Sequence, residues 1–399
     1  MDPSIEICKV RNSFDKTEIK SDTLIPYSNQ NMNYELEIIG REIENMYKDN
    51  VIYVNMKKYN ELQTMKDNFN NPNFTEARNK ANPYENIGRS IFMNRAAIKI
   101  ANIDAVFNLT GQKGGYINKQ QINEGEEFGN FLYCDIGSAP GGFTEYIQYR
   151  RPLSMGYGIS LNKKYGGLGW RKDKINMERF RIEYGPDNSG DLYKHSDWFA
   201  NLVTKLHNGG VNLVTADGGF SGDTSARKHE ILTSRLILNE TLVALKTLKK
   251  GGDYVCKMYD TVSKISADLI YLISMCFNEV NIFKPMSSRP ANAERYLVAK
   301  GLKGNVSEFI RILQEANQHY TDTKYIYQLF KYLPNDYENW LTQHNNISLQ
   351  LQTQTAINIL SLLNSQDVNI PVINLYKCLA IWNLPDNKPN KSDKIKVYN

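Results

Sequence analysis

Residues 131–143 read FLYCDIGSAPGGF, and this stretch decides the fold of the chain. The apolar run 131–136 predicts a buried strand, and the glycine-rich residues 137–142 predict a sharp turn into a helix that begins near Phe143. Glycines let a ligand approach the backbone closely, and the start of a helix offers unpaired N–H groups to an anionic or carboxylate group. The turn therefore indicates a nucleotide-type cofactor site, with a simple strand-to-helix connection as the alternative.

The chain around this turn alternates between short β-type runs and helical patterns. The further β-type runs are 156–161, 180–184, 211–216, 253–259, 280–285 and 295–300, and the clearest helical patterns are 226–250 and 263–277. Strands that alternate with helices predict an α/β fold, here a doubly wound, mostly parallel seven-stranded sheet with helices on both faces. Such a sheet binds its ligands beyond the carboxyl ends of the strands.

Two accessory regions are predicted to flank a central domain at 76–303. Residues 1–75 are a polar, Asn-rich extension with little strand signal, and residues 304–399 are a helical region with a polar tail. Candidate helices are 33–48, 58–70, SEFIRILQEANQ (307–318), YIYQLFKYL (325–333) and INILSLLNS (357–365). The Gly-containing, acidic piece 110–130 predicts a surface loop.

Composition and charge exclude several protein classes. The 399 residues are 41% hydrophobic and 23% charged, unlike collagen-like, coiled-coil or wholly disordered chains. No apolar run approaches the length of a membrane-spanning helix, and residues 1–16 lack the order of a secretory signal, so we expect no membrane partner. The net charge of +5 is concentrated in residues 91–301, which carry 27 Lys+Arg against 21 Asp+Glu. This excess suits a phosphate-bearing partner.

The cysteines are few and scattered. They are Cys8, Cys134, Cys256, Cys276 and Cys378, without CxxC spacing. An odd, dispersed set predicts neither a disulfide framework nor a metal site. We therefore expect an intracellular protein in a reducing compartment, in the nucleus or the cytoplasm.

The glycine turn separates two cofactor classes. A nicotinamide site reads GxGxxG, with an acidic residue about 20 residues further on. Here the glycine spacing differs, and the second strand ends in Ser160-Leu161-Asn162 without an acid, which disfavours a nicotinamide oxidoreductase. The pattern D-x-G-x-x-P-G-G-F, which starts at Asp135, instead resembles the S-adenosylmethionine loop of FtsJ-like RNA 2′-O-methyltransferases.

Four further segments strengthen this resemblance. Lys99 ends RSIFMNRAAIK, Asp217 lies in TADGG, Lys257 ends GGDYVCK, and Glu294 lies in SSRPANAERY. Their order, Lys, Asp, Lys, Glu, matches the catalytic tetrad of the family. The stretches ANPYENIGRSIFMNRAAIKIANIDAVF and KPMSSRPANAERYLVAKGLK look like the eukaryotic and viral branch that methylates the first transcribed nucleotide of capped mRNA.

The resemblance covers residues 76–303 and implies a cap-specific 2′-O-methyltransferase that uses S-adenosylmethionine and binds the capped 5′ end of mRNA. The terminal regions are then candidate contacts for other capping or transcription proteins. One alternative is a 2′-O-methyltransferase of ribosomal or transfer RNA. Another is a non-catalytic RNA-binding subunit of a capping assembly, which the complete tetrad disfavours. After Ser221 the chain is shorter than the cellular loop that helps to hold the cap, so guanosine contacts are not assigned, and a compact viral or protist enzyme fits.

The family chemistry implies a role for each member of the tetrad. Methyl transfer from a sulfonium is an in-line displacement, so the enzyme must position the ribose 2′-oxygen and help to remove its proton. A lysine accepts a proton only when neutral, and a neighbouring cation and desolvation lower its pKa. Lys257 is therefore expected to steer and deprotonate the 2′-hydroxyl, with Lys99 as the nearby charge. Asp217 is expected to orient Lys257 or to contact the cofactor, and Glu294 to hold Lys99 or the ribose.

The resemblance also implies residues that bind the cofactor and the RNA. The cofactor contacts are Asn94, Asp135, Gly137, Ser138, Ala139, Pro140, Gly141, Gly142 and Asp191. The RNA or cap contacts are Arg78, Lys80, Arg289 and Asn292. Asp191 is alternatively an ordinary turn residue, and Arg78 and Lys80 are alternatively solvated charges.

A second basic group surrounds Tyr165 and Trp170. Its members are Lys163, Lys164, Arg171, Lys172, Lys174, Arg179 and Arg181. Basic residues with aromatic neighbours bind single-stranded nucleic acid by charge and stacking, and a solvated connector between strands is the alternative.

Overall fold

The computed structural model describes residues 16–20, 34–49, 51–111, 131–219 and 226–385. The strands are β1 (Lys16–Lys20), β2 (Leu36–Glu42), β3 (Leu132–Ile136), β4 (Met155–Ile159), β5 (Phe180–Glu183), β6 (Val211–Ala216), β7 (Leu248–Met258), β8 (Phe277–Phe283), β9 (Arg295–Leu302) and β10 (Lys324–Phe330). The helices are α1 (Ile43–Asp49), α2 (Met56–Asp67), α3 (Phe74–Lys80), α4 (Arg95–Phe107), α5 (Gly142–Arg150), α6 (Leu192–Leu206), α7 (Ala226–Thr247), α8 (Lys264–Cys276), α9 (Ser307–Gln318), α10 (Asn335–Leu363) and α11 (Leu375–Ile381).

An eight-stranded sheet forms the centre of the molecule, in the order β1-β8-β9-β7-β6-β3-β4-β5. The five strands from β7 to β5 run parallel to their neighbours, whereas the β7–β9, β9–β8 and β8–β1 pairs are antiparallel. Seven of these strands correspond to the seven predicted β-type runs. The mostly parallel seven-stranded sheet is therefore confirmed, and β1 adds an eighth strand at one edge.

Apolar side chains cover both faces of the sheet. Phe199, Leu238 and Leu269, from α6, α7 and α8, belong to the buried cluster on one face. Ile100 and Ile147, from α4 and α5, belong to a second buried cluster. Because β3 lies between β4 and β6, the connections leave it in opposite directions. The carboxyl ends of β3 and β6 therefore border the crevice in which sheets of this kind bind ligands.

Two segments predicted as helices contain strands, and these predictions are wrong. The segment 33–48 contains β2 before α1 begins, and YIYQLFKYL contains β10. The two strands pair antiparallel, with Ile326 opposite Gly40. Periodicity does not separate helix from strand in such short apolar runs, and each strand is stabilised by a partner near the other end of the chain. The C-terminal region is therefore not wholly helical, and this pair joins it to the N-terminal region.

The other helix predictions in the terminal regions are confirmed. Helix α2 covers most of 58–70, α9 coincides with SEFIRILQEANQ, and INILSLLNS forms the end of α10. Helix α10 packs against α2 and α3. The domain boundaries at 75/76 and 303/304 stay predictions.

Some expectations fall on parts of the chain that are not described. Most of the predicted 110–130 loop, the residues 220–225 that follow Gly219, and the polar tail beyond residue 385 lie outside the described residues. Within the described residues, no helix is both long enough and apolar enough to cross a membrane.

Candidate active site

The turn after β3 is held by hydrogen bonds within the protein. Gly137 has a φ of +65°, and a Cβ at this position would lie 2.9 Å from Gly218 Cα, so only glycine fits where β3 and β6 end. Asp135 is fully buried, and its carboxylate accepts hydrogen bonds from Thr144 Oγ1 at 2.6 Å and Thr215 Oγ1 at 2.7 Å. Burial raises the pKa of Asp135 to about 6. Asp135 therefore stabilises the turn by joining the start of α5 to β6 through hydrogen bonds. Its predicted cofactor contact stays a prediction.

The start of α5 carries backbone donors beside this turn. Gly141 is the N-cap residue and has no side chain to cap the helix, while Asp135 accepts from the N–H of Thr144 at 3.1 Å. In the described part of the chain, the N–H groups of Gly142 and Phe143 donate no hydrogen bond. Such groups suit a carboxylate or another anionic end of a ligand.

Asn94 joins the predicted cofactor residues at this place. Its Oδ1 caps α4 by accepting from Ala96 N at 3.0 Å, and a Cβ on Gly142 would lie 2.1 Å from the same oxygen. Ser138 Oγ donates to Ile136 O and accepts from Asp217 N at 3.3 Å. The structure thus brings Asn94 and the predicted turn residues Gly137, Ser138, Ala139, Pro140, Gly141 and Gly142 to one edge of the sheet.

Asp191 lies at the same edge, beyond the ends of β4 and β5. Its Oδ1 accepts from Tyr193 N at 3.0 Å and so caps α6. A Cβ on the preceding Gly190 would lie 2.0 Å from Ser160 O, so this turn is pressed against the end of β4. Asp191 Oδ2 lies 3.8 Å from Lys194 Nζ, and the Asp191 side chain is 26% exposed. Asp191 is therefore a partly exposed helix cap, and its predicted cofactor contact stays a prediction.

The four predicted catalytic residues meet as two ion pairs. Lys257 Nζ donates to Asp217 O at 2.6 Å and lies 3.2 Å from Asp217 Oδ1. Lys99 Nζ lies 2.7 Å and 2.8 Å from the two carboxylate oxygens of Glu294. All four side chains are between 11% and 18% exposed. Lys257 and Glu294 affect each other's pKa, so the two pairs form one site.

The charges of this site balance, which sets the protonation of Lys257. Burial would raise the pKa of Glu294, but Lys99 and Lys257 outweigh it and lower the pKa to about 2. Burial would lower the pKa of Lys257, but Asp217, Tyr259 and Glu294 outweigh it and raise the pKa well above the usual lysine value. The prediction that the pKa of Lys257 is lowered is therefore wrong for the protein alone, because burial lowers this pKa but Asp217, Tyr259 and Glu294 together raise it by more.

Tyr296 belongs to this site, and the sequence reasoning missed it. It lies directly opposite Lys257 in the β7–β9 pairing, and its hydroxyl donates to Asp217 Oδ1 at 2.8 Å. Tyr296 follows Glu294 by two residues at the start of a strand. Residues two apart on a strand share a face, and this signal points from the tetrad to Tyr296.

A buried lysine holds the loop that carries Glu294, and it was also missed. Lys284 is 3% exposed, and its Nζ donates to Glu294 O at 2.7 Å and to Asn292 Oδ1 at 2.9 Å. Ser288 Oγ donates to Glu294 Oε1 at 2.8 Å. Asn292, a predicted RNA contact, therefore uses its side-chain oxygen within the loop. No sequence signal separates Lys284 from a surface lysine, because only its burial distinguishes it.

Three guanidinium groups gather around Glu85 beside this loop. Arg289 donates to both carboxylate oxygens of Glu85, at 3.3 Å and 2.8 Å, and Arg95 donates to one of them at 2.6 Å. Burial and the charges of Arg289 and Arg95 lower the pKa of the Arg78 guanidinium, so Arg78 lies within electrostatic range of both. This arginine cluster carries three positive charges against one carboxylate, which suits a phosphate group. Two of the predicted RNA contacts, Arg78 and Arg289, belong to it.

Other predicted basic contacts are engaged by acidic neighbours. Lys80, Arg171 and Arg181 form ion pairs with Glu76, Asp173 and Glu183, respectively. In the second basic group, the side chains without an ion pair among the described residues are Lys163, Lys164, Lys172 and Lys174. Trp170 is 6% exposed and packs in the core, so it offers no face to a base. Tyr165 is 48% exposed, and nucleic-acid binding by this second group stays a prediction beside the solvated connector.

A buried acid lies beneath the junction of the turn and the tetrad. Glu240, on α7, is 1% exposed, and a Cβ on Gly218 would lie 2.3 Å from its Oε1. Among the described residues this oxygen has no hydrogen-bond partner, while Oε2 accepts from the thiol of Cys256 at 3.5 Å. Burial raises the pKa of Glu240 to about 8, although Lys257 opposes the shift. Glu240 is therefore mostly protonated at neutral pH.

The family of the chain follows from its central segment. A sequence profile described as FtsJ-like methyltransferase matches residues 92–302, which is more than half of the chain. The chain belongs to the FtsJ-like methyltransferase family. The matched segment contains the glycine turn and all four residues of the tetrad, so the family resemblance predicted from these motifs is confirmed.

Several relatives in the family are named cap-specific mRNA (nucleoside-2′-O-)-methyltransferases. Protein 1A of Caenorhabditis briggsae is 29% identical over 370 residues, which are 85% of this chain and 42% of the relative. Protein 1 of Danio rerio is 37% identical over 254 residues, which are 60% of this chain and 30% of the relative. Protein 1B of C. briggsae, named inactive, is 32% identical over 298 residues, which are 70% of this chain and 35% of the relative. The chain spans less than half the length of each of these relatives, and overall identity does not separate active members from inactive ones.

Proposed function

We propose that this protein transfers a methyl group from S-adenosylmethionine to the ribose 2′-hydroxyl of the first transcribed nucleotide of capped mRNA. The observation that carries the proposal is the meeting of the Lys257–Asp217 and Lys99–Glu294 ion pairs beside the glycine turn. Burying four charged groups is costly, and such clusters are concentrated at functional sites. The names of the relatives support a capped substrate.

The residues around the turn fit the proposed cofactor. The N–H groups of Gly142 and Phe143 suit its carboxylate, and the partly exposed carboxylate of Asp191 suits an amino group of its base. When bound, S-adenosylmethionine supplies a methyl group on a positively charged sulfonium, and that charge disfavours the ammonium form of Lys257.

Each residue of the tetrad has its own role in the proposed reaction. Lys257 is held by Asp217, and in the proposed reaction its Nζ positions the ribose 2′-oxygen. To accept the proton of the 2′-hydroxyl, Lys257 must first lose its own, because its pKa is raised in the protein alone. Tyr296 holds the carboxylate that orients Lys257. Glu294 keeps Lys99 beside the site without leaving a net positive charge.

The arginine cluster of Arg78, Arg95 and Arg289 supports a nucleic-acid substrate. Arg289 lies in the same loop as Glu294, so a phosphate held by the cluster brings an RNA end next to the tetrad. An arginine fork binds phosphate oxygens in pairs, which fixes orientation as well as position. The cluster is compact, which suits the end of an RNA and not a long stretch of it.

A methyl-transfer assay with three RNAs of one sequence tests the proposal. The first RNA is capped, the second ends in a triphosphate, and the third is capped but carries a 2′-deoxy first nucleotide. We expect transfer to the first RNA alone. Equal transfer to the first two would replace the cap-specific function with a general RNA 2′-O-methyltransferase, and transfer to the third would exclude the ribose oxygen as the acceptor.

Two variants separate catalysis from folding in this assay. Lys257→Met is expected to keep its affinity for S-adenosylhomocysteine and to lose transfer by about 100-fold or more, since it removes the group that handles the proton. Lys246→Met, which breaks the 2.6 Å ion pair with Asp197 between α7 and α6, serves as the matched control with normal transfer. Near-normal turnover of Lys257→Met would overturn the assignment of Lys257. If the wild-type protein binds S-adenosylhomocysteine and transfers no methyl group to any RNA, the non-catalytic alternative takes its place.

A further inference from the structure

The loop that leaves the catalytic strand β7 has an unusual backbone. Residues 259–263, the β7 exit loop, start two residues after Lys257 and lead into α8. Asp260 and Thr261 have φ values of +32° and +58°, although neither is a glycine. Consecutive residues in this region persist only where the surrounding structure holds them. The contacts of the β7 exit loop therefore decide whether Lys257 is correctly placed.

Arg295 supplies the first set of these contacts. It directly follows Glu294 and is buried. Its Nη2 donates to Asp260 O, to Thr261 Oγ1 at 2.5 Å and to Asn345 Oδ1 at 2.8 Å. One guanidinium group thus ties the start of β9, which carries Glu294, to the loop that follows Lys257.

The N-terminal region supplies the second set. The backbone N–H groups of Ile52 and Tyr53 donate to Val262 O, at 2.9 Å and 3.1 Å. Asn345 Nδ2, on α10 of the C-terminal region, donates to Tyr53 O at 2.9 Å and to Thr261 O at 2.8 Å. Thr261 Oγ1 donates to Asn345 Oδ1 at 2.8 Å. Asn345 therefore uses both ends of its amide to join the two terminal regions to the β7 exit loop.

The carboxylate of Asp260 makes a third connection to the same two regions. Tyr59 OH, on α2, donates to its Oδ2 at 3.2 Å, and Gln352 Nε2, on α10, donates to its Oδ1 at 3.3 Å. Lys66 Nζ in turn donates to Gln352 Oε1 at 2.8 Å. The side chains that hold the β7 exit loop from this side thus come from residues outside the segment 92–302 that the family profile matches.

We propose that Asn345 and Thr261 are positioning residues for methyl transfer. They hold Arg295 and the β7 exit loop in one arrangement, and this arrangement sets the spacing between Lys257 and Glu294. The terminal regions are then part of the catalytic machinery by their packing, and they do not serve only as surfaces for partners. The expected effect on methyl transfer rests on the proposed function. The expected effect on the arrangement of the β7 exit loop does not.

The pair Thr261→Ala and Thr261→Ser is the sharpest test. Both variants lose the methyl group of threonine, but only serine keeps the hydroxyl that contacts Arg295 and Asn345. We expect Thr261→Ala to lower kcat about 10-fold or more, because a small misplacement of reacting groups is enough for such a loss. The KM for RNA and the Kd for S-adenosylhomocysteine should stay within about twofold, and Thr261→Ser should recover most of kcat. Equal kcat values for the two variants would overturn the proposal.

A second pair of variants tests Asn345 against its neighbour on α10. Asn346 Oδ1 accepts from Asn55 N at 2.8 Å, so Asn346→Ala also removes a hydrogen bond between α10 and the N-terminal region. Asn346 makes no hydrogen bond to the β7 exit loop among the described residues. We expect Asn345→Leu to lower kcat as Thr261→Ala does and Asn346→Ala to leave it unchanged. Equal losses in both would mean that α10 acts only as a general anchor.

Hydrogen–deuterium exchange gives a readout that does not depend on activity. In Thr261→Ala and Asn345→Leu, the amides of residues 257–263 should exchange faster than in Thr261→Ser and Asn346→Ala, with the rest of the sheet unchanged. Uniformly faster exchange, or no change at 257–263, would overturn the positioning role. If the wild-type protein transferred no methyl group, the proposed function would fail while this exchange pattern would still decide the structural inference.

Discussion

The hydroxyl of Tyr296 donates a 2.8 Å hydrogen bond to Asp217 Oδ1, the same oxygen that lies 3.2 Å from Lys257 Nζ. Tyr296 and Lys257 are direct cross-strand neighbours on β9 and β7, so the sheet itself sets this arrangement. The carboxylate is held from one side by a neutral donor and from the other by a cation. Asp217 therefore has little freedom to turn away, and the direction of the Lys257 side chain is set with it.

We expect Tyr296→Phe to weaken methyl transfer without weakening cofactor binding. The substitution removes one hydrogen bond to a charged group, which is worth about 1 to 3 kcal/mol, or a loss of kcat of roughly 5- to 160-fold. Steady-state kinetics and the Kd for S-adenosylhomocysteine measure the two effects. Tyr254→Phe is the control, because the Tyr254 hydroxyl is also buried but lies 3.3 Å from Thr241 Oγ1, away from the tetrad. A normal kcat in Tyr296→Phe would show that Asp217 is held by other contacts.

The rate of transfer should rise with pH through the neutral range and beyond. Lys257 must lose a proton before it accepts one from the substrate, and its pKa is raised by Asp217, Tyr259 and Glu294 against the effect of burial. The neutral form therefore becomes more abundant with every increase in pH up to the raised pKa. We expect kcat/KM, which reports the protein before it binds its substrates, to increase steadily between about pH 7 and pH 9 with no plateau. A plateau below about pH 8 would contradict a lysine of raised pKa as the rate-limiting base.

Glu240→Gln should stabilise the protein at alkaline pH. The pKa of Glu240 is about 8 in the folded protein, above the usual carboxyl value, so the folded state holds the proton more tightly. The stability that comes from this group is present below its unfolded pKa and is lost as the pH rises through the folded pKa. Glutamine is neutral at every pH and avoids the loss, which is on the order of 5 kcal/mol.

Thermal unfolding at two pH values measures this effect of Glu240. Glu240→Gln should raise the Tm by several degrees at about pH 8.5 and change it little at about pH 5. Glu315→Gln is the control, because Glu315 pairs with Arg311 on the exposed side of α9. The same Tm difference between Glu240→Gln and the wild type at both pH values would show that Glu240 does not titrate in this range.

Arg289→Met should weaken RNA binding in a salt-dependent way. If Arg289 contacts a phosphate, its loss lowers the slope of log affinity against log salt by about 0.7 for single-stranded RNA. Arg311→Met is the control, since Arg311 is an exposed arginine that pairs with Glu315 on α9 and does not belong to the arginine cluster. Titrations of a capped oligonucleotide at three salt concentrations measure the slope. An unchanged slope in Arg289→Met would restrict Arg289 to its contact with Glu85.

The sequence by itself determined the central sheet, the glycine turn and the identity of the four tetrad residues. These features are local, because an apolar run, a set of glycines and a polar residue at a strand end sit within a few positions of one another. Parallel strands in such a sheet bring their carboxyl ends to one edge, so Asp217 and Lys257 were expected to meet the turn. The order of the motifs, from Lys99 to Glu294, then pointed to one family.

Only the tertiary structure decided the protonation state of Lys257, the buried residues that hold the tetrad in place, and the contribution of the terminal regions to the site. The raised pKa of Lys257 depends on how close Asp217, Tyr259 and Glu294 lie to its ammonium group, and no sequence motif gives these distances. Lys284 and Glu240 look like ordinary surface residues until their burial is known. The residue patterns of β2 and β10 are compatible with either a helix or a strand. Each strand is stabilised by pairing with the other, from the opposite end of the chain. The contacts of Asn345 likewise join segments that are far apart in sequence, and the energy of such contacts exists only once the chain has folded.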